Sequence, residues 1–368
     1  MNGIAPGHVT NGGKDAPSLS IVLSFANEEE VLPEAIHRLR FVLGKECERG
    51  TISRYEVVFV NDASTDGSLA ILLDAARDAD DIRVINMSRN FGVTPCVLAG
   101  LDYASGDLVV YMDVDLQDPP EVIPEMLQAW RAAGGADVVH TIRRSRSGES
   151  WFKLAITRQG YRILKFVSSV PIRVEAGDFK LLSRRVVDEL QRLPEKRPFM
   201  RGLVAWVGFK QTEICYDRQP RRAGKTKFPV FGAKVIQNFL DSALISFSDI
   251  PLQLATLLGL LTSLAAFVFL IDIVVEKFLG RNIPGWSAIM ATVLFLGGAQ
   301  MLFLGIQGRY LAAIFLEAKG RPNYIVESTH GFPESQARQR PAWRAELDGM
   351  RLESAQETGR RDDSRNVA

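Results

Sequence analysis

Two stretches of this chain carry no charge over about 21 residues, from Pro251 to Ile271, and about 26, from Ile283 to Gly308. A helix of about 20 apolar residues crosses a bilayer core of roughly 30 Å while satisfying its own backbone hydrogen bonds. The pattern predicts a C-terminal two-helix transmembrane hairpin over residues 250–316, joined through "DIVVEKFLGRNIPGW". Two helices buried in a soluble core would need an unusually large core around them. Lys225, Lys227 and Lys234 precede the spans and Arg309, Lys319 and Arg321 follow, against Lys277 and Arg281 in the link. That excess of basic flanks puts the N-terminal domain in the cytoplasm.

The first part of the chain is built differently. Residues 18–145 alternate short apolar runs with amphipathic stretches, the pattern of an α/β open Rossmann-like sheet with crossover helices. "LSIVLSFA", "YEVVFVND", "IRVINMSR" and "GDLVVYMD" read as strands; "EEEVLPEAIHRLRFVLGKE", "DGSLAILLDAARDA" and "TPCVLAGLDYAS" read as helices. In such sheets ligands bind beyond the carboxyl ends of the strands, where the sequence puts "FANEEE", "VNDASTD", "SRNFG" and "DVDLQD".

Around this core we expect a flexible leader over 1–17, without the apolar centre of a signal peptide, and a cytoplasmic domain over 18–230. Within it, residues 150–170 place Trp151, Ile156 and Phe166 among Lys153, Arg158 and Lys165, as an interfacial amphipathic helix or as a core-facing helix with a solvated basic side. A second interfacial helix is expected over 231–249, and a disordered polar tail over 328–368. The formal net charge of +1 excludes a strongly basic nucleic-acid binder. Cys47, Cys96 and Cys215 lack the spacing of a disulfide framework or zinc site. No glycine loop of the kind that cradles ATP or a dinucleotide is present.

The chemistry concentrates in "YMDVDLQDPPE", where an apolar strand ends in Asp113, Asp115 and Asp118 around Gln117. Two carboxylates and an amide oxygen suit a hard cation such as Mg²⁺ that keeps phosphate or water oxygens. Asp118, before Pro119-Pro120, reads as shaping the turn into the next helix. Asp62 and Asp66 follow the second strand, where a carboxylate can accept from a nucleobase N–H or a ribose hydroxyl, or simply cap a turn or helix.

These motifs, with "EAGDFKLLSRR", "RPFMRGLVAWVGF" and "RRAGKTKFP", resemble the polyprenyl-phosphate glycosyltransferases of glycosyltransferase family 2 over about residues 18–325. The resemblance implies a GT-A type sheet, a UDP-sugar donor, a polyprenyl phosphate acceptor and Mg²⁺ or Mn²⁺. It assigns Asp62 to the base, helped by the backbone around Phe25 and by Glu28, with Arg89 in the "SRNFG" donor segment. Asp113 would lie near ribose and diphosphate, and Asp115 and Gln117, with Asp113, on the metal. Asp178 would stand beside the reacting sugar or acceptor phosphate. Arg201 and the basic loop of Arg218, Arg222, Lys225 and Lys227 would gather the donor diphosphate and lipid phosphate. Val93 replaces a charged or polar residue common in relatives, and Thr226 and Phe228 replace the usual Ser and Tyr or Trp.

The reaction expected is a single displacement with inversion at the cytoplasmic face of a bacterial inner membrane, with glucose as first sugar. Galacturonate, N-acetylhexosamine, aminoarabinose and mannose donors stay open, as do a processive synthase and a non-catalytic scaffold or flippase component. No nucleic acid is expected as a partner, and a homo-oligomer, tetrameric by analogy, is implied.

Overall fold

The computed structural model describes residues 16–77, 79–143, 176–219, 250–279 and 285–333. The expected leader up to residue 15, both interfacial helices (150–170 and 231–249), Arg222, Lys225, Lys227 and the tail beyond residue 333 lie outside the described residues.

The four expected βα strands form as read. β1 (Leu19–Phe25), β2 (Tyr55–Asn61), β3 (Ile82–Met87) and β4 (Leu108–Asp113) are parallel neighbours in the order β4-β1-β2-β3. Every residue of β1 is buried, because helices cover both faces of a central parallel strand. The helices are α1 (Leu32–Glu48), α2 (Ser68–Arg77), α3 (Val93–Tyr103) and α4 (Ile123–Ala132). Leu32, Leu39, Leu43, Ile123 and Met126 close one face of the sheet over Ile21, Phe59 and Val110. Each such side chain contributes roughly 2 kcal/mol of burial. On α3, a Cβ added to Gly100 would stand 2.1 Å from Val22 Cγ1, so only glycine permits that approach to β1.

The sheet is wider and more mixed than the expected parallel core. β5 (Val138–Arg143), β6 (Ala176–Ser183), β7 (Gln211–Tyr216) and β8 (Val326–His330) complete eight strands in the order β7-β5-β6-β4-β1-β2-β3-β8. β6 is antiparallel to β4 and β5, and β8 is antiparallel to β3. Between β6 and β7 lie α5 (Arg184–Arg192) and α6 (Met200–Trp206). The Ser183 side chain caps α5 by accepting from the Val186 N–H at 3.4 Å.

Two expectations are corrected. The first helix begins at Leu32, not at the acidic run Glu28 to Glu30, because Asn27 is left-handed (φ 56°) and Glu28 and Glu29 bond to the neighbouring loop. The tail expected from residue 328 begins as strand: Ser328 to His330 belong to β8, whose backbone is satisfied by β3.

The chain divides into two units. One holds the sheet domain with β8, the other α7 (Ile250–Phe278) and α8 (Trp286–Ala318). Among the described residues one stretch, Phe295–Ala318, is long and apolar enough to cross a membrane by length and composition. α7 covers the position of the other expected span.

Candidate active site

β1 to β4 run parallel, so their carboxyl ends meet along one edge of the sheet. Two loops there are sewn together by side chain to backbone bonds. The Asn27 N–H donates to Ser64 Oγ at 2.9 Å, the Thr65 N–H to Asn27 Oδ1 at 2.7 Å and the Gly67 N–H to Glu29 Oε2 at 2.7 Å. Asn27, Ala63 and Leu116 hold left-handed backbones (φ 56°, 53° and 56°), all at this edge. Such strain persists where surrounding structure over-determines it, and it clusters at functional sites.

Asp62 is buried at the centre of this half. Its N–H donates to the Phe25 carbonyl at 2.9 Å, and its carboxylate accepts from the N–H groups of Phe91 at 2.6 Å and Gly92 at 2.9 Å. Burial and the neighbouring Asp62 carboxylate push the Cys96 thiol far up. A carboxylate has about four lone-pair directions, so Asp62 can still accept one more donor. Phe25 contributes through that backbone carbonyl; its ring packs edge-on against Phe59 at 6.5 Å. Glu28 is buried and donates its N–H to Ser68 Oγ at 3.0 Å. Arg89 folds back over the Phe91 ring, 3.9 Å from its centroid, and donates to the Asn90 carbonyl.

The other half surrounds the end of β4. Burial, then the charges of Asp115, Asp118 and Asp178, push Asp113 up to about 7, against an opposing pull from Arg218. Asp115 is oriented by the Gln117 N–H, which donates to its Oδ1 at 3.2 Å, and the Gln117 carbonyl accepts from Gln219 N–H at 2.9 Å. Asp118 stands in the bend before Pro119-Pro120, where the sequence put it, and has partners that the sequence did not announce. It is buried, accepts from the Tyr216 hydroxyl, and pairs with Arg218 at 3.3 Å and Arg143 at 3.8 Å.

Asp178 and Arg201, both expected at the site, meet as a bidentate pair: Nε donates to Oδ1 at 2.8 Å and a terminal nitrogen to Oδ2 at 2.5 Å. Burial would raise the Asp178 carboxyl, but Arg201, Lys180 and Arg143 outweigh it and hold it at about 2. Lys180, two residues along β6 on the same face, is buried, donates to the Gly177 carbonyl and lies 5.7 Å from the Tyr111 ring centroid. Burial pulls its ammonium down to about 8. Among the described residues the buried hydroxyls of Tyr111 and Ser24 have no hydrogen-bond partner, and Ser24 pairs in register with Asp113.

Arg143, Lys180 and Tyr216 escaped the sequence reading, and the partners of Asp118 did too. Lys180 was signalled by a lone charge inside the apolar run "FKLLS", and Arg143 by a base ending "VVHTIR". Arg143 and Tyr216 come together because β5 and β7 pair in register at that position.

Among the described residues no three His, Cys, Asp or Glu side chains form a cluster able to hold a metal by themselves. The donor set still fits a cation completed by phosphate oxygens, since Mg²⁺ commonly takes only one or two carboxylates from protein. Asp113, crowded by three like charges, gains most from a cation beside it.

Carboxylates and arginines converge at the carboxyl edge of the mixed α/β sheet, where such sheets bind ligands, and the comparisons give the class: a glycosyltransferase. The chain belongs to glycosyl transferase family 2, whose profile matches residues 20–191. An uncharacterised glycosyltransferase of Bacillus subtilis, YkcC, is 41% identical over 85% of this chain and 94% of its own. The bactoprenol glucosyl transferase of Shigella phage SfII is 36% identical over 85% of this chain and 98% of its own. Among solved structures, a glucosyl-3-phosphoglycerate synthase of Mycobacterium tuberculosis with Mn²⁺, UDP and product aligns over 62% of this chain and 81% of that one, at 19% identity and a TM-score of 0.39.

Proposed function

We propose that this glycosyltransferase moves glucose from UDP-glucose to a polyprenyl phosphate, with inversion, at the cytoplasmic face of a bacterial inner membrane. The observation that carries the reading is the 36% identity to a bactoprenol glucosyl transferase over nearly its whole length. It is supported by the pairing of crowded carboxylates with arginines at the strand ends. Both α7 and α8 span the bilayer in this reading, and the enzyme assembles as a homo-oligomer.

Two anionic reactants must approach each other, so charge relief and alignment matter more than a strong base. Asp113, Asp115 and Gln117 would hold Mg²⁺ or Mn²⁺, which offsets charge growing on the departing diphosphate. Asp62 uses its remaining acceptor position for a base N–H, and Arg89 flanks the donor. The lipid phosphate is already ionised at neutral pH. Asp178, held at about 2, stays ionised too and is a poor proton acceptor, so its task is orientation of the acceptor or a sugar hydroxyl. Arg201, fixed by Asp178, presents its charge in a set direction, and Arg218 with Arg222, Lys225 and Lys227 draws in the lipid phosphate.

Membranes containing the full chain should transfer label from UDP-glucose to undecaprenyl phosphate, and EDTA should abolish it. No sugar in the lipid fraction with any UDP-sugar would sink the enzyme reading. Equal product in EDTA would sink the metal assignment.

A further inference from the structure

The segment after α8 returns to the sheet domain. Asn323 Nδ2 donates to the Glu195 carbonyl at 2.8 Å, the Tyr324 hydroxyl donates to Asp102, and the Ser88 N–H donates to the Ile325 carbonyl at 3.0 Å. β8 then pairs with β3, Asn86 opposite Ser328 and Met87 opposite Val326, so Glu327 is the extra residue of a bulge. Bulges re-aim side chains next to active sites. Here the Glu327 carboxylate accepts from Asn86 Nδ2 at 2.7 Å. Gly331 (φ 77°) ends the segment against β3; a Cβ there would lie 2.4 Å from the Ile82 carbonyl oxygen.

From Asn86 the bonds run inward. Its Oδ1 accepts from Asn61 Nδ2 at 2.8 Å, and Asn61 Oδ1 accepts from the Ser64 N–H at 3.1 Å. Asn61 is 1% exposed and Asn86 8%, so each amide group needs a protein partner. Because Asn86 offers its oxygen to Asn61, its NH₂ faces outward and requires an acceptor, which Glu327 supplies. Asn61 immediately precedes Asp62, and Ser88 opens the loop whose Phe91 and Gly92 amides hold the Asp62 carboxylate.

We propose that Asn323 to Phe332 form a strap that positions the nucleotide half of the donor site, with Glu327 and Asn86 as positioning residues acting through Asn61 on the Asp62 loop. The proposal rests on the UDP-sugar reading above, and its test separates the two. Purified full chain in lipid nanodiscs is compared as wild type, Glu327→Ala and Glu327→Gln, by hydrogen exchange without ligand and by calorimetric titration with UDP.

Glu327→Ala should speed exchange at the Ser64, Phe91 and Gly92 amides by about 10-fold and weaken UDP binding by about 10-fold, the scale of one unsatisfied buried group. Affinity for polyprenyl phosphate should not change. Glu327→Gln keeps an acceptor oxygen and should restore both readouts. The strap is overturned if Glu327→Ala matches wild type in either readout. It is equally overturned if Glu327→Gln is as impaired as alanine, or if exchange rises uniformly across the sheet. Wild-type chain that fails to bind UDP sinks the proposed function and the donor role of the strap together, whereas wild-type binding with an unaltered alanine variant sinks the strap alone.

Discussion

The two edges of the sheet use the same residue types to opposite ends. At the amino edge each of several carboxylates has a partner of its own. Asp107 accepts from the Ser18 N–H at 2.8 Å and hydroxyl at 2.6 Å, Glu56 from the Ser20 hydroxyl and the Ser105 N–H, and Asp81 from both arms of Arg40. At the carboxyl edge Asp113, Asp115, Asp118 and Asp178 crowd one another until burial and repulsion push Asp113 to about 7. Paired acids stabilise the fold; at the carboxyl edge Asp118 and Asp178 have partners too, yet Asp113 is left with a repulsion that a cation would relieve. An identical change should therefore cost stability at one edge and activity at the other.

The largest effect is expected from Asp115→Ala. Transfer should fall by at least about 10²- to 10³-fold, with the unfolding midpoint unchanged or raised because a like charge has been removed. Retained turnover would sink its role on the metal. Arg201→Lys should be milder, about 10- to 10²-fold in kcat/KM, because lysine cannot reproduce the bidentate geometry. With the guanidinium gone, the Asp178 carboxyl rises from about 2, so the acid limb of the pH profile should move upward. An unmoved limb would show that Arg201 does not set the ionisation of Asp178. That carboxylate is 42% exposed, which limits what the pair adds to stability.

How far the sequence was legible follows the same divide. The four parallel strands and the ends they present could be read because each is a short apolar run next to turn residues, a local signal. That signal put Asp113 and Asp115 at the carboxyl end of β4, where they stand. The pairing of Asp178 with Arg201 spans 23 residues and that of Asp118 with Tyr216 spans 98, so neither is visible to local reading. For that reason the reading of Asp118 stopped at the turn that Pro119-Pro120 marks: nothing nearby announces Arg143 or Arg218. β8 was missed because "VESTH" is polar and short, and it becomes strand only against the open edge of β3.

The smallest effect belongs to the amino edge. The Ser18 hydroxyl and amide hold the Asp107 carboxyl below its ordinary range, burial opposing them and Arg184 assisting. A carboxylate with a depressed folded value adds stability above its unfolded value, about 3.9, and loses it as pH falls through the lower folded one. Asp107→Asn keeps one acceptor oxygen but removes the charge. At pH 7 it should destabilise the chain by about 1 kcal/mol or less, given the exposure of the group, with kcat/KM per folded enzyme unchanged. Unfolding midpoints of variant and wild type should converge as pH is lowered below about 4 and separate again when it is raised. A gap that persists at pH 3, or a fall in kcat/KM at pH 7, would break the contrast between the edges.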